Sequence, residues 1–302
     1  PGTLSRNVPT FSVDSGMLFE RQISSSGAVQ TFEPRLFYAY TPYRDQTRIP
    51  VFDTSRYDFN FAEIFSANRF AGQDRIGDAN QVTAGFSTRF IDEKGTERVK
   101  VTLAQRFTLS DLRVGENDPF IATDAPKKGV SDILGEFSGR ILDSTSVISR
   151  VQYSPETSDV QKALVGLRYN PELGKVINLG YRYTREVNAA QLGLEQVDLS
   201  AQWPLTGNLY ALARSNYSLL DKRQTEGLLG LEYYGSCWSV RAVVQNLALT
   251  ANTSTKALFI VLELKGIAGA DPGEYNTILS RNIGGYSKID YDQNRTTQAL
   301  FQ

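Results

Sequence analysis

Apolar and polar positions alternate with a period of two along most of the chain. Between Val176 and Thr184, Ile177, Leu179, Tyr181 and Tyr183 share one face, and Asn178, Gly180, Arg182 and Thr184 share the other. Residues 194–203 set Val197, Leu199, Ala201 and Trp203 against Gln196, Asp198, Ser200 and Gln202. Residues 160–170 and 237–246 repeat the pattern, the latter with Trp238, Val240, Ala242 and Val244 opposite Ser239, Arg241 and Gln245. Such alternation predicts strands with one apolar and one wet face. About thirteen segments qualify, near 10–22, 28–41, 80–92, 97–110, 131–142, 145–155, 160–170, 175–187, 194–204, 208–220, 226–235, 237–250 and 255–265. A soluble strand averages about five or six residues, whereas a tilted membrane strand needs about 9–11. The predicted fold is therefore all-β, an antiparallel transmembrane β-barrel wall.

The connections carry a second signal. Short ones, at 92–95, 143–144, 171–174, 204–207 and 235–236, alternate with longer ones. In outer-membrane barrels short turns are periplasmic and long loops extracellular. The expected organisation is wall strands over 1–265, long extracellular loops at 41–79 and 110–130, and a periplasmic tail over 266–302. The spacing of Phe61, Ile64, Phe65 and Asn68 predicts a short helix over 59–69, and the tail is expected to hold one more extended piece with Ile278, Ile283 and Tyr286. Pro34 lacks a ladder donor and is expected to interrupt the second strand as a bulge or strand end. Single-chain bacterial barrels have even strand numbers, so thirteen points to part of a larger barrel. The missing initiator Met agrees with that expectation, and no signal peptide is expected in Pro-Gly-Thr-Leu-Ser-Arg.

Composition narrows the chemistry. The 302 residues carry 32 Lys+Arg and 33 Asp+Glu, for a net charge of −1. Nucleic-acid binders normally show a basic excess. No histidine is present, which removes histidine bases, Ser-His-Asp triads and the commonest zinc sites, so no enzyme activity, cofactor or metal is expected. A single cysteine, Cys237, cannot form an internal disulfide. The mean hydropathy of −0.30 does not argue for a soluble protein, because a barrel averages an apolar and a polar face.

Three segments go beyond pattern. Residues 32–46 read Phe-Glu-Pro-Arg-Leu-Phe-Tyr-Ala-Tyr-Thr-Pro-Tyr-Arg-Asp-Gln. Residues 68–85 read Asn-Arg-Phe-Ala-Gly-Gln-Asp-Arg-Ile-Gly-Asp-Ala-Asn-Gln-Val-Thr-Ala-Gly. The third, Tyr-Tyr-Gly-Ser-Cys-Trp-Ser-Val-Arg at 233–241, precedes Leu-Glu-Leu-Lys-Gly at 262–266. In this order they resemble the C-terminal barrel region of the LptD (OstA/Imp) family of lipopolysaccharide-assembly outer-membrane proteins. The resemblance spans roughly residues 6–285. It implies the C-terminal half of a barrel of about 26 strands, preceded by a periplasmic jellyroll. The implied function is insertion of lipopolysaccharide into the outer leaflet through a polar lumen and a lateral gate. The implied partners are lipopolysaccharide, membrane lipid, a plug lipoprotein (LptE) in the lumen, and a periplasmic Lpt bridge reached through the jellyroll. A passive diffusion porin and a soluble β-sandwich are the rival classes.

The residues and the resemblance together suggest candidate sites. The segment with Leu258, Ile260, Leu262 and Leu264 matches the family's last strand, one lip of the gate. The family commonly has two adjacent cysteines where this chain has Ser236-Cys237-Trp238. The resemblance implies that Cys237 pairs with a cysteine in an N-terminal region, while a free thiol in a strand turn stays open. Tyr43, Arg44, Asp45, Gln46, Asp74 and Arg75 have two readings. One is a self-satisfied loop lock with Arg paired to Asp; the other is contact with lipopolysaccharide phosphates, to which Arg geometry is suited. Arg168, Asn178, Arg182, Gln196, Asp198, Ser200 and Gln202 form the expected lumen wall. They are open to reading either as wet wall or as a surface for plug or sugar head groups.

Overall fold

The computed structural model describes residues 5–23, 27–115, 126–186, 193–248, 253–264 and 279–288. It divides into two compact units, Pro1–Gly139 with Arg150–Gln161, and Arg140–Ser149 with Lys162–Gln302. The division falls within the strands β9 (Ile133–Leu142) and β10 (Thr145–Ser154) and within the first residues of the strand that follows, between Gln161 and Lys162.

In the first unit the earlier strands are β1 (Phe11–Gly16), β2 (Phe19–Gln22), β3 (Val29–Thr41), β4 (Ser55–Arg56), β5 (Phe70–Ala71), β6 (Ala79–Ile91), β7 (Glu97–Thr108) and β8 (Gly129–Val130). Hydrogen bonding runs β1-β3-β6-β7-β9, with β2 on β3, β8 on β7 and a separate β4-β5 pair. The pairings described are antiparallel. The second unit is a meander in which β11 (Asp159–Glu172), β12 (Lys175–Thr184), β13 (Leu194–Pro204), β14 (Leu209–Ser218), β15 (Arg223–Tyr234), β16 (Trp238–Ala248) and β17 (Ser254–Leu264) pair in sequence order. The long strands follow the segments that alternation predicted, because hairpin register is set by the tight turns. The turn at 92–95 is one example. Gly95 takes the left-handed φ of 78° and donates to Asp92 O, while Asp92 Oδ1 accepts from the Lys94 and Thr96 amides at 2.9 Å each.

Each unit has an apolar exposed face and a covered face. Exposed Leu36, Tyr40, Leu103 and Phe107 lie on the first unit's apolar face, and Ile177, Leu179, Leu199, Leu231 and Val244 on the second's. On the covered faces, Phe37, Ala39 and Ala79 bury together, as do Ile64, Ala104 and Leu134. Val176, Leu212, Leu228 and Val243 bury with Leu279 and Ile283.

Four expectations are corrected. The first segment is not one strand: it breaks at Met17-Leu18 into β1 and β2. Nor is β3 interrupted by Pro34, which sits within it. Met17 N still donates to Pro34 O at 3.1 Å, but proline cannot return the second bond, so the break falls on the partner strand. The predicted helix at 59–69 is a single turn over 61–65. Asn60 starts it by accepting from the Ala62 and Glu63 amides. It stops because wall side chains take the carbonyls that would continue it. Thr83 donates to Ile64 O at 2.8 Å, and Arg106 donates to Glu63 O and Ile64 O at 2.6 Å each. Finally, the extended piece expected near the C-terminus is a helical turn at 279–282 followed by an irregular stretch to 288. Ile278 lies outside the described residues.

Candidate functional site

The covered face of the first unit is built on loop residues that follow β3. Gln46 is 5% exposed, and its amide pairs both ways with Ile76: Nε2 donates to Ile76 O at 2.8 Å, and Ile76 N donates to Oε1 at 3.0 Å. Arg6 donates to the same Oε1 at 2.9 Å. Asp74 accepts from the Asp53 amide at 2.7 Å and from the Phe52 amide. Those two amides hold its carboxyl below the ordinary carboxylate range. Arg75, also 5% exposed, donates to Ile49 O at 2.8 Å, and burial pushes its guanidinium down. Asp45 accepts from the Thr47 amide, which lowers its carboxyl, and exposed Arg44 reaches Asn7 O at 3.4 Å. Tyr43 lies under the Arg113 guanidinium at 3.9 Å.

The geometry differs from the Arg-to-Asp pairing expected for this loop. Arg44 and Arg75 bind carbonyls. Arg69, whose role the sequence left unmarked, pairs with Asp78 at 3.1 Å. Asp78 also accepts from the amides of Arg113 and Val114, tying the second long loop to the first. Phe65 packs against Phe37, Ala39 and Ala79, with Arg35 over its ring at 4.2 Å. Gly85 makes the seat possible: a Cβ there would lie 2.9 Å from Ala104 Cβ and 3.1 Å from Phe65.

The second unit gathers the polar series differently. Arg168 donates to Asn178 at 2.8 Å, and Asn178 donates to Ser200 at 3.1 Å and to Gly284 O at 2.9 Å. Gln202 is fully buried. Its Nε2 donates to Ser287 O at 2.9 Å, and its Oε1 accepts from Ser287 N at 3.0 Å. Asp198 accepts from Arg214 at 2.9 Å. Arg182 and Gln196 sit opposite each other in the register of β12 and β13. Most of the expected lumen wall therefore binds the chain's own C-terminal segment or its neighbours.

Sequence reasoning missed the centre of this network. Glu232 and Arg241, 1% and 6% exposed, form an ion pair across β15 and β16. Tyr286 donates to Glu232 at 2.6 Å and accepts from Arg241 at 2.9 Å. Burial, followed by the Glu232 charge, pushes the Tyr286 phenol well above its usual range. Period-two alternation places Glu232 and Arg241 on the covered face, but only strand register sets them opposite each other.

Cys237 is exposed in the β15–β16 turn, which Gly235 N closes on Trp238 O at 2.7 Å. On β17, Leu258, Ile260, Leu262 and Leu264 are 62%, 67%, 61% and 47% exposed on one face. Among the described residues β17 pairs only with β16.

Antiparallel strands of about ten residues with an exposed apolar face and a polar opposite face define a membrane-spanning β-barrel wall. The model of the family LptD, described as LPS transport system D, matches residues 1–209. LPS-assembly protein LptD of Azoarcus sp. (strain BH72) is 44% identical over 95% of this chain and 35% of its own length. The proteins of the same name from Aromatoleum aromaticum and Thiobacillus denitrificans are 45% and 42% identical over 95% and 93% of this chain, and 36% and 38% of theirs. The chain belongs to the LptD family and is an outer-membrane β-barrel protein. It spans a little over a third of the length of these curated relatives.

Proposed function

We propose that this chain is part of an outer-membrane translocon that moves lipopolysaccharide to the outer leaflet, with saccharide head groups on the polar face and acyl chains on the apolar face. The exit is the free edge of β17. No covalent chemistry is involved; transport follows from two solvents meeting at one edge. The plug lipoprotein LptE, the periplasmic Lpt bridge and an N-terminal jellyroll are the partners. Cys237, in a short turn, pairs with a cysteine N-terminal to this chain. On this reading the long loops at 41–79 and 110–130 are extracellular and the residues after 265 start from the periplasmic side.

The observation that carries the reading is β17. An unpaired strand edge is a liability that proteins normally cover or charge. Here the terminal strand shows four exposed apolar side chains in alternation and no strand on its outer edge among the described residues. A lipid edge suits such a strand. The porin reading fits less well, because the covered faces carry the 61–65 turn and the 279–288 segment.

The test is photocrosslinking in cells, with the probe placed in the full-length protein at Ile260 or, on the opposite face of β17, at Val261. Lipopolysaccharide adducts at these positions but not at Leu167, on the apolar face far from the edge, support the gate. Equal labelling at Leu167, or none at β17, overturns it.

A further inference from the structure

Residues 279–288 cross the covered face of the second unit and touch six successive strands. Leu279 and Ile283, 2% and 0% exposed, bury among Val176 of β12, Leu212 of β14, Leu228 of β15 and Val243 of β16. The Gly284 carbonyl takes Asn178 of β12, and the Ser287 backbone pairs both ways with Gln202 of β13. Asn282 accepts from Arg214 of β14, and Tyr286 joins the Glu232–Arg241 pair of β15 and β16. Leu279 lines a small cavity with Phe259 and Val261 of β17, and Lys288 forms an ion pair with Glu263 on the same strand.

The segment fits its seat closely. A Cβ on Gly284 would lie 2.5 Å from an Arg168 nitrogen, and Gly285 takes a φ of 81°. The Gln202 amide imitates a strand rung, giving one donor and one acceptor to one backbone residue. Two of these contacts, the Leu279 cavity and the Lys288–Glu263 ion pair, reach β17. A strand with one ladder among the described residues opens locally more easily than one held on both edges. The contacts of 279–288 with Phe259, Val261 and Glu263 must also break before β17 can leave.

We propose that residues 279–288 are an internal strap that holds β17 against the wall and limits how far its free edge can swing outward. That the strap thereby restricts lipid exit rests on the reading of β17 as a gate lip; that it restrains β17 does not.

Hydrogen exchange read by mass spectrometry on the full-length protein tests the strap directly. The variant Ile283→Asn removes its buried anchor. Exchange at 256–264 should rise on the order of tenfold, with 97–108 of β7, which these contacts do not touch, unchanged, as expected for release of a local opening unit. The charge reversal Lys288→Glu should raise exchange at 256–264 by a smaller factor, and adding Glu263→Lys should return it toward wild type. The proposal is overturned if the strap amides 283–287 exchange freely in the wild type, or if freeing them leaves β17 unchanged. If Ile283→Asn does not assemble, the charge-reversal series decides alone: no rise, or a rise that the double variant does not reverse, overturns it. Exchange needs no lipopolysaccharide, so failure of crosslinking at β17 would end the gate reading while leaving this measurement to stand or fall independently.

Discussion

The two units share an apolar face of the same kind and cover their polar faces by opposite means. In the first, the cover is an insertion between neighbouring strands, and its charged groups mostly bind backbone. Gln46 holds Ile76, Arg75 holds Ile49, and Asp74 holds two amides. In the second, the cover arrives from beyond the last strand and docks on wall side chains, with the buried Glu232–Arg241 pair beneath it. An insertion is tethered at both ends and close to its seat, so single side-chain bonds to backbone suffice. A segment reached after β17 pays a larger ordering entropy, and it lands on charges that need satisfying.

The largest separation of the two should come from Glu232→Ala. It strands Arg241 without its carboxylate, and losing one partner of a buried pair costs about 3–5 kcal/mol. Urea unfolding of the full-length protein should show that loss, while protease sensitivity at 42–78 stays unchanged. Early cleavage in that loop would mean that the two covers are not independent.

The shared apolar face predicts similarity instead. Leu103→Arg in the first unit and Leu199→Arg in the second should each cost about 2–4 kcal/mol if they lie near mid-membrane. Unfolding from lipid vesicles reads both, and a negligible cost at either position would mean that its face does not meet lipid.

Gln46→Ala should have a smaller effect, confined to the first unit. It leaves the Ile76 N–H and C=O without their side-chain partner, at about 1–3 kcal/mol. Faster proteolysis at 42–78 with unchanged exchange at 279–288 is the expected outcome.

The smallest effects should be those of pH, with opposite signs in the two covers. Asp74 is depressed in the folded protein, so its contribution is present above the ordinary carboxylate pKa of about 3.9 and is lost as pH falls below it. Tyr286 is raised, so its contribution is complete below the ordinary phenol pKa of about 10 and is lost as pH rises through the higher folded value. Proteolysis at 42–78 should therefore quicken at the acid end, and exchange at 279–288 should exceed its intrinsic pH dependence only at the alkaline end. Substituting Asp74→Asn and Tyr286→Phe should flatten the respective profiles.

The sequence by itself determined the strands, their faces and the family. Alternation placed Asn178, Ser200 and Gln202 on one face and Ile177, Leu179 and Leu199 on the other, because a period-two pleat leaves little choice once one face is apolar. Tight turns then marked most of the strand ends, and three motifs in order carried the family. What only the tertiary structure decided is what lies on the covered faces. Phe61, Ile64 and Phe65 have helical spacing, yet Arg106 and Thr83 take the carbonyls a helix would need. Ile283 and Tyr286 read as a strand but bury as a strap, since Leu279 and Ile283 meet one apolar patch between polar rows. Glu232 and Arg241 lie 9 residues apart on one hairpin, Tyr286 lies 45 residues beyond Arg241, and each is unremarkable by itself. They meet because strand register sets two opposite charges side by side, and only a packed third group completes the satisfaction of a buried ion pair.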